Sequence, residues 1–171
     1  MKIEYITIDA GQRFDAVMPE IPTNSIINKT VTGCGATYAE INAPRHSVII
    51  EPNVPVIEGK MKKHPQILGV FEGVTTEDII DFLNTNYNDG YLKIMTTPES
   101  FPKVRSAMVQ THTDMHGEWF MLFDECERTI QAIAALSPSR WMIFFDANKR
   151  RWFPRRLSFR PIPVSSSRAL R

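Results

Sequence analysis

The sequence predicts an α/β fold with a mainly parallel sheet and flanking helices. Three observations lead there. Short apolar runs of strand length recur at residues 47–50, 67–71, 91–95 and 119–123. Stretches with helical signals separate them, and Gly, Pro, Asn or acidic residues end them. Continuous apolar runs suit strands buried on both faces, and strands alternating with helices imply crossover connections. A chain of 171 residues, 43% hydrophobic and 23% charged, is long and apolar enough for one domain with a sizeable core.

Residues 1–24 read as a lead-in segment: apolar alternation from Ile3 to Ile8, then Pro19, Pro22 and Asn24 as breakers. Residues 25–131 carry the α/β pattern. Ser25-Ile26-Ile27 reads as a short strand entering a glycine loop, and Thr37–Ile41 as the first helical turn after it. Ser47–Ile50 is the next strand, closed by Glu51-Pro52-Asn53, and Ile67–Phe71 follows it. Thr75–Leu83 reads as an amphipathic helix capped by Thr75 or Thr76, with acids in its first turn. Tyr91–Met95 is a strand ending at Thr96-Thr97-Pro98, residues 99–111 are helical, and Trp119–Phe123 is a strongly apolar strand that runs into Asp124-Glu125.

No apolar run reaches transmembrane length and no export signal is visible at Met1, so the expectation is a cytoplasmic protein with no membrane partner. Cys34 and Cys126 make no disulfide framework, which fits a reducing compartment. His112 and His116 have i, i+4 spacing, but with no third ligand in sight they read as a solvated polar segment rather than a metal site.

The chemistry-bearing residues fall at two places. Thr32-Gly33-Cys34-Gly35-Ala36-Thr37 has the form of a phosphate loop: Gly33 and Gly35 permit close backbone approach, the amides of Gly33, Cys34, Gly35 and Ala36 face an anion, and Thr37 offers a hydroxyl to Mg²⁺. The second place is Asp124-Glu125 after an apolar strand, a pattern in which the first acid holds Mg²⁺ and the second orients or deprotonates an attacking water. In a parallel sheet both fall at the carboxyl ends of strands, where ligands bind.

With these residues in order, the chain resembles superfamily-two DEAD/DEAH-type helicases. Their Thr-Gly-Ser-Gly-Lys-Thr is matched by Thr32–Thr37 apart from the serine and the lysine, and Asp124-Glu125-Cys126-Glu127 looks like a variant of their acidic box. Ile49-Ile50-Glu51-Pro52-Asn53 and Met95-Thr96-Thr97-Pro98-Glu99 are similar to their motifs Ia and Ib. The chain is also similar to helicase-like proteins of Bacteroides-type bacteria. The resemblance implies a RecA-like P-loop NTPase domain over residues 25–131, incomplete, that uses ATP and Mg²⁺. It implies a nucleic acid partner, DNA or RNA, contacted at Pro52, Thr97 and Pro98. Thr37 and Asp124 would hold Mg²⁺ and Glu125 would position water. Ala36 stands where the family has its phosphate-binding lysine; Lys29, placed early as in some viral packaging ATPases, is the expected substitute.

Charge divides the chain. Residues 1–131 hold 11 Lys+Arg against 18 Asp+Glu, whereas residues 132–171 hold 9 Lys+Arg and one acid, Asp146. Such a basic tail with Trp141, Trp152 and Phe153 can bind nucleic acid. Reverse translation offers another origin. Read one nucleotide earlier, Trp152-Phe153-Pro154-Arg155-Arg156-Leu157 can spell Val-Ser-Ala-Thr-Pro, and Ser-Ala-Thr is the helicase motif that follows the acidic box. The expectation is a frameshift near residues 132–136, a partly disordered out-of-frame tail, and a chain truncated after its acidic box. The activity expected is thus that of an ATP-binding fragment of a nucleic-acid-dependent ATPase that does not unwind alone. The alternatives are a non-catalytic nucleic-acid-binding module using the tail, or a non-functional truncated product.

Overall fold

Four parallel strands form one sheet: β1 (His46–Ile50), β2 (Ile67–Val70), β3 (Lys93–Thr96) and β4 (Trp119–Phe123), in the spatial order β2-β3-β1-β4. Five helices accompany them: α1 (Phe14–Val17), α2 (Ala36–Asn42), α3 (Val54–Lys63), α4 (Thr76–Asn86) and α5 (Phe101–Gln110). The structure, a computed structural model, describes residues 6–9, 11–27 and 33–125. The expectations for Lys29, Thr32, Cys126, Glu127 and the tail from residue 132 lie outside the described residues.

Side-chain alternation along each strand divides the core into two layers. Val48, Ile50, Val70, Ile94 and Trp119 face one way and pack with Ile79 and Leu83 of α4 and with Phe101, Val104, Ala107 and Met108 of α5. Ile49, Ile67 and Met95 face the other way and pack with Ile41 of α2 and Ile57 of α3. The register explains the fit: Val48 lies beside Ile94 and Met121, and Ile50 beside Thr96 and Phe123. α3 carries the chain across the sheet from β1 to β2, and α4 and α5 bring it back. That reversal moves the helices to the opposite face, as right-handed crossovers require.

Local sequence sets the helix ends. Thr75, one of the two expected caps, accepts from the Asp78 amide at 3.2 Å while its own amide donates to Asp78 Oδ2 at 2.8 Å, a reciprocal capping box. α3 starts with a proline in its first turn, where a missing amide proton costs nothing. Its packing on β2 depends on Gly69: a methyl group there would collide with Met61 Sδ and stand 3.0 Å from Ile57 Cγ2.

A buried polar network fixes α2 to the sheet. Glu40 accepts from Ser47 Oγ, and from Arg45 Nε at 3.0 Å. Lys93 Nζ donates to Ala43 O, Arg45 O and Ser47 Oγ at 3.0, 2.7 and 2.9 Å. Arg45 reaches back to Glu20 and to the Ile21 carbonyl, and its guanidinium lies 3.4 Å above the Phe120 ring. Every charge in this group has partners, which a buried ionic cluster requires.

Several expectations need correction. Ser25-Ile26-Ile27 is not a strand: Ile26 is 87% exposed and no described strand pairs with it. β-branched residues alone do not make a strand without a partner edge. α3 and the short α1 were not foreseen. His112 and His116 lie exposed in the turns after α5, with His112 at φ 55°, as a solvated polar segment would.

Candidate functional site

The glycine loop forms the N-terminal end of α2. Gly33 and Gly35 adopt φ of 76° and 93°, the left-handed region that glycine enters without strain. The Phe14 amide donates to the Cys34 carbonyl at 2.9 Å, which pins α1 against the loop. Ala36 is buried against Phe14, Ile21 and Ala39. A long cationic side chain at that position would enter an apolar cluster, so the alanine suits its surroundings.

At the end of β4 the Asp124 amide donates to Ile50 O at 2.9 Å and prolongs the sheet by one step. Asp124 is 9% exposed; one carboxylate oxygen accepts from the Glu125 amide at 3.0 Å, and the other accepts from the Thr37 hydroxyl. The fold therefore joins the two acidic-box and loop residues expected to share Mg²⁺. Glu125 follows with φ 45°, which turns the chain sharply, and its carboxylate accepts from Asn53 Nδ2 at 3.2 Å.

Glu51, the residue that closes the β1 run in the sequence, belongs to this acidic end. It is 2% exposed, and its Oε1 accepts from the amide and side chain of Asn53 at 2.9 and 2.8 Å. Burial raises its pKa above the ordinary value; the Asn53 hydrogen bonds oppose that rise and the charges of Asp124 and Glu125 add to it. Asn53 thus bridges Glu51 and Glu125 and spaces the carboxylates.

The residues expected at a nucleic acid lie on the same end of the sheet. Pro52 is partly exposed; Thr97 is buried, and its hydroxyl accepts from the Ser100 amide at 3.3 Å. Pro98 is buried beside it. The carboxyl ends of β1 and β3 send their connections to opposite faces of the sheet, the kind of switch point at which open α/β sheets bind ligands.

A cleft of about 150 Å³ is lined by Gly33, Cys34, Gly35, Ala36, Thr37, Tyr38 and Lys60. Cavities that enclose a whole drug-sized ligand run to roughly 300–1,000 Å³, so this one is too small to enclose such a ligand entirely. Beside it, Arg13 lies 3.7 Å from the centroid of the Tyr38 ring and His64 makes an edge contact with the same ring at 5.6 Å. Lys60 carries no sequence signal linking it to the loop; it arrives through the packing of α3.

The donors present fit Mg²⁺. A hydroxyl and a carboxylate are hard oxygen ligands, and this ion is commonly held by one or two carboxylates plus phosphate oxygens and water. Among the described residues no cluster of three or more His, Cys, Asp or Glu could hold a metal by itself, so the phosphate would have to complete the set. No described helix is long and apolar enough to cross a membrane. Comparison with family models, with curated proteins and with solved structures found no match.

Proposed function

We propose that this chain binds a nucleoside triphosphate, ATP in the helicase-like reading, together with Mg²⁺, as the RecA-like portion of a nucleic-acid-dependent ATPase. The observation that carries the reading is the hydrogen bond between Thr37 and Asp124, which unites the end of the glycine loop with the acidic box. In this scheme the amides of Gly33 to Ala36 receive the phosphates and Thr37 and Asp124 hold the ion. Bound there, Mg²⁺ would neutralise charge on the terminal phosphates. Glu125, steadied by Asn53, orients water at the mouth of the site. Pro52, partly exposed, and the buried turn at Thr97-Pro98 lie at the end of the sheet where the nucleic acid backbone would pass.

Titration of the full chain with a fluorescent ATP analogue, with and without Mg²⁺, tests the reading. Binding is expected to need Mg²⁺ and to weaken about 10- to 100-fold in Thr37→Ala and in Asp124→Asn, in line with losing a contact to a charged group. Binding that ignores both substitutions would remove the reading. If salt-sensitive DNA binding survived both substitutions and vanished on deletion of residues 140–171, the tail-based module would replace it.

A further inference from the structure

The loop presents no lysine of its own at Ala36, and α2 is only seven residues long, so its dipole is a weak substitute for a side-chain charge. The phosphate cleft nevertheless has a cation in its wall. Lys60 lines it together with Gly33–Tyr38. We propose that Lys60, delivered by α3 rather than by the loop, supplies the positive charge that meets the phosphates of the bound nucleotide. The inference rests on the nucleotide-binding reading above.

Packing places this residue. Ile57, one turn earlier, is fully buried against β2 and β3, and Met61 packs in the same cluster. Both can settle there because Gly69 leaves no Cβ beneath them. With Ile57 and Met61 directed at the sheet, Lys60 falls on the flank of α3 that faces the loop. Among the described residues no carboxylate stands within ion-pair distance of it, so its ammonium is not already committed. An ammonium on a flexible stem is a point charge that can follow a phosphate chain. Tyr38, which lines the same cleft, carries the Arg13 guanidinium 3.7 Å from its ring centroid, and Arg13 itself pairs with Asp15 at 3.4 Å. The geometry also explains how Ala36 can remain buried and apolar: the charge reaches the phosphates from the facing wall.

The test uses the full chain and two probes, the fluorescent ATP analogue and inorganic tripolyphosphate as its competitor, each with Mg²⁺. Lys60→Met is expected to weaken both by about 10- to 100-fold. Equal losses for the two probes would mark a phosphate contact rather than a base contact. Lys60→Arg should recover most of the affinity, and Lys62→Met, an exposed neighbour outside the cleft, should change nothing. Thermal melts of each variant separate binding from folding. Two outcomes overturn the proposal separately. If the parent chain binds in a Thr37- and Asp124-dependent way, but Lys60→Met matches it while Lys29→Met fails, the nucleotide reading stands and Lys60 is not the cation. If the parent chain binds neither probe, both fall together.

Discussion

Lys93 Nζ stands 3.9 Å from Glu40 Oε1, and both side chains are almost wholly buried. Burial lowers the Lys93 pKa from 10.5 to about 8; Glu40 opposes the fall and Arg45 adds to it. The folded value lies below the unfolded one, so between about pH 8 and 10.5 the unfolded chain binds the extra proton. Stability contributed by this group therefore rises with pH across that window. Urea unfolding of the parent and of Lys93→Met over the window should show a steeper upward slope in the parent. Equal slopes would mean that Lys93 is not desolvated as described.

The same pair predicts the cost of breaking the network. Glu40→Ala leaves the Lys93 ammonium buried beside Arg45 without its carboxylate. Loss of one partner of a buried pair costs about 3–5 kcal/mol. A denaturant midpoint unchanged by Glu40→Ala would contradict the network.

Glu51 has the opposite sign. Its folded pKa is raised above 4.5, chiefly by burial, so just above that value the folded chain holds the extra proton. Its contribution is fully present below the unfolded value and is lost as pH climbs through the folded one. Glu51→Gln should flatten this part of the stability profile, read as thermal midpoints across mildly acid pH. If the profile keeps its shape, the group that titrates there lies elsewhere.

Gly69→Ala tests the seating of α3. The new methyl meets Met61 and Ile57 from below. Overpacking of this sort costs about 1–3 kcal/mol. Because α3 carries Lys60, nucleotide affinity should fall as well, and in calorimetric titration the fall should exceed that of the exposed control Lys62→Met.

Gly35→Ala tests the loop. The residue sits at φ 93°, where an L side chain is strained by about 1–2 kcal/mol. The loop should relax away from the cleft, so that binding of the ATP analogue drops by more than the loss of stability alone would cause. Affinity equal to that of the parent would show that the left-handed turn is dispensable for phosphate contact.

Much of this arrangement was legible in the sequence because strong local signals agreed with the tertiary context. Trp119–Phe123 is a continuous apolar run stopped by two acids, and it is a strand over those residues. Thr75 and Asp78 announced their helix through a spacing that serves the backbone directly. α3 escaped notice because Val54-Pro55, Gly59 and a lysine-rich end give it little helical propensity, and Ile57 is its one buried side chain. Lys60 escaped for a different reason: nothing local links a surface lysine to a loop more than twenty positions earlier, and only the close approach of α3 to β2 brings them together. Glu51 stands in the sequence as a strand-ending residue, and its burial beside Asp124 depends on the β1–β4 pairing.

The order β2-β3-β1-β4 carries a kinetic consequence. Among the described residues β1 is the first strand, and it lies between β3 and β4, both of which come later. As the chain emerges during synthesis, the Val48-Ile49-Ile50 run has both backbone edges open until long stretches of sequence have followed. Such non-local pairing slows folding and leaves a hydrophobic template exposed to other chains. The nascent protein is therefore most prone to aggregation before β4 arrives, and chaperone dependence should track the delay between β1 and β4 rather than the stability of the finished sheet.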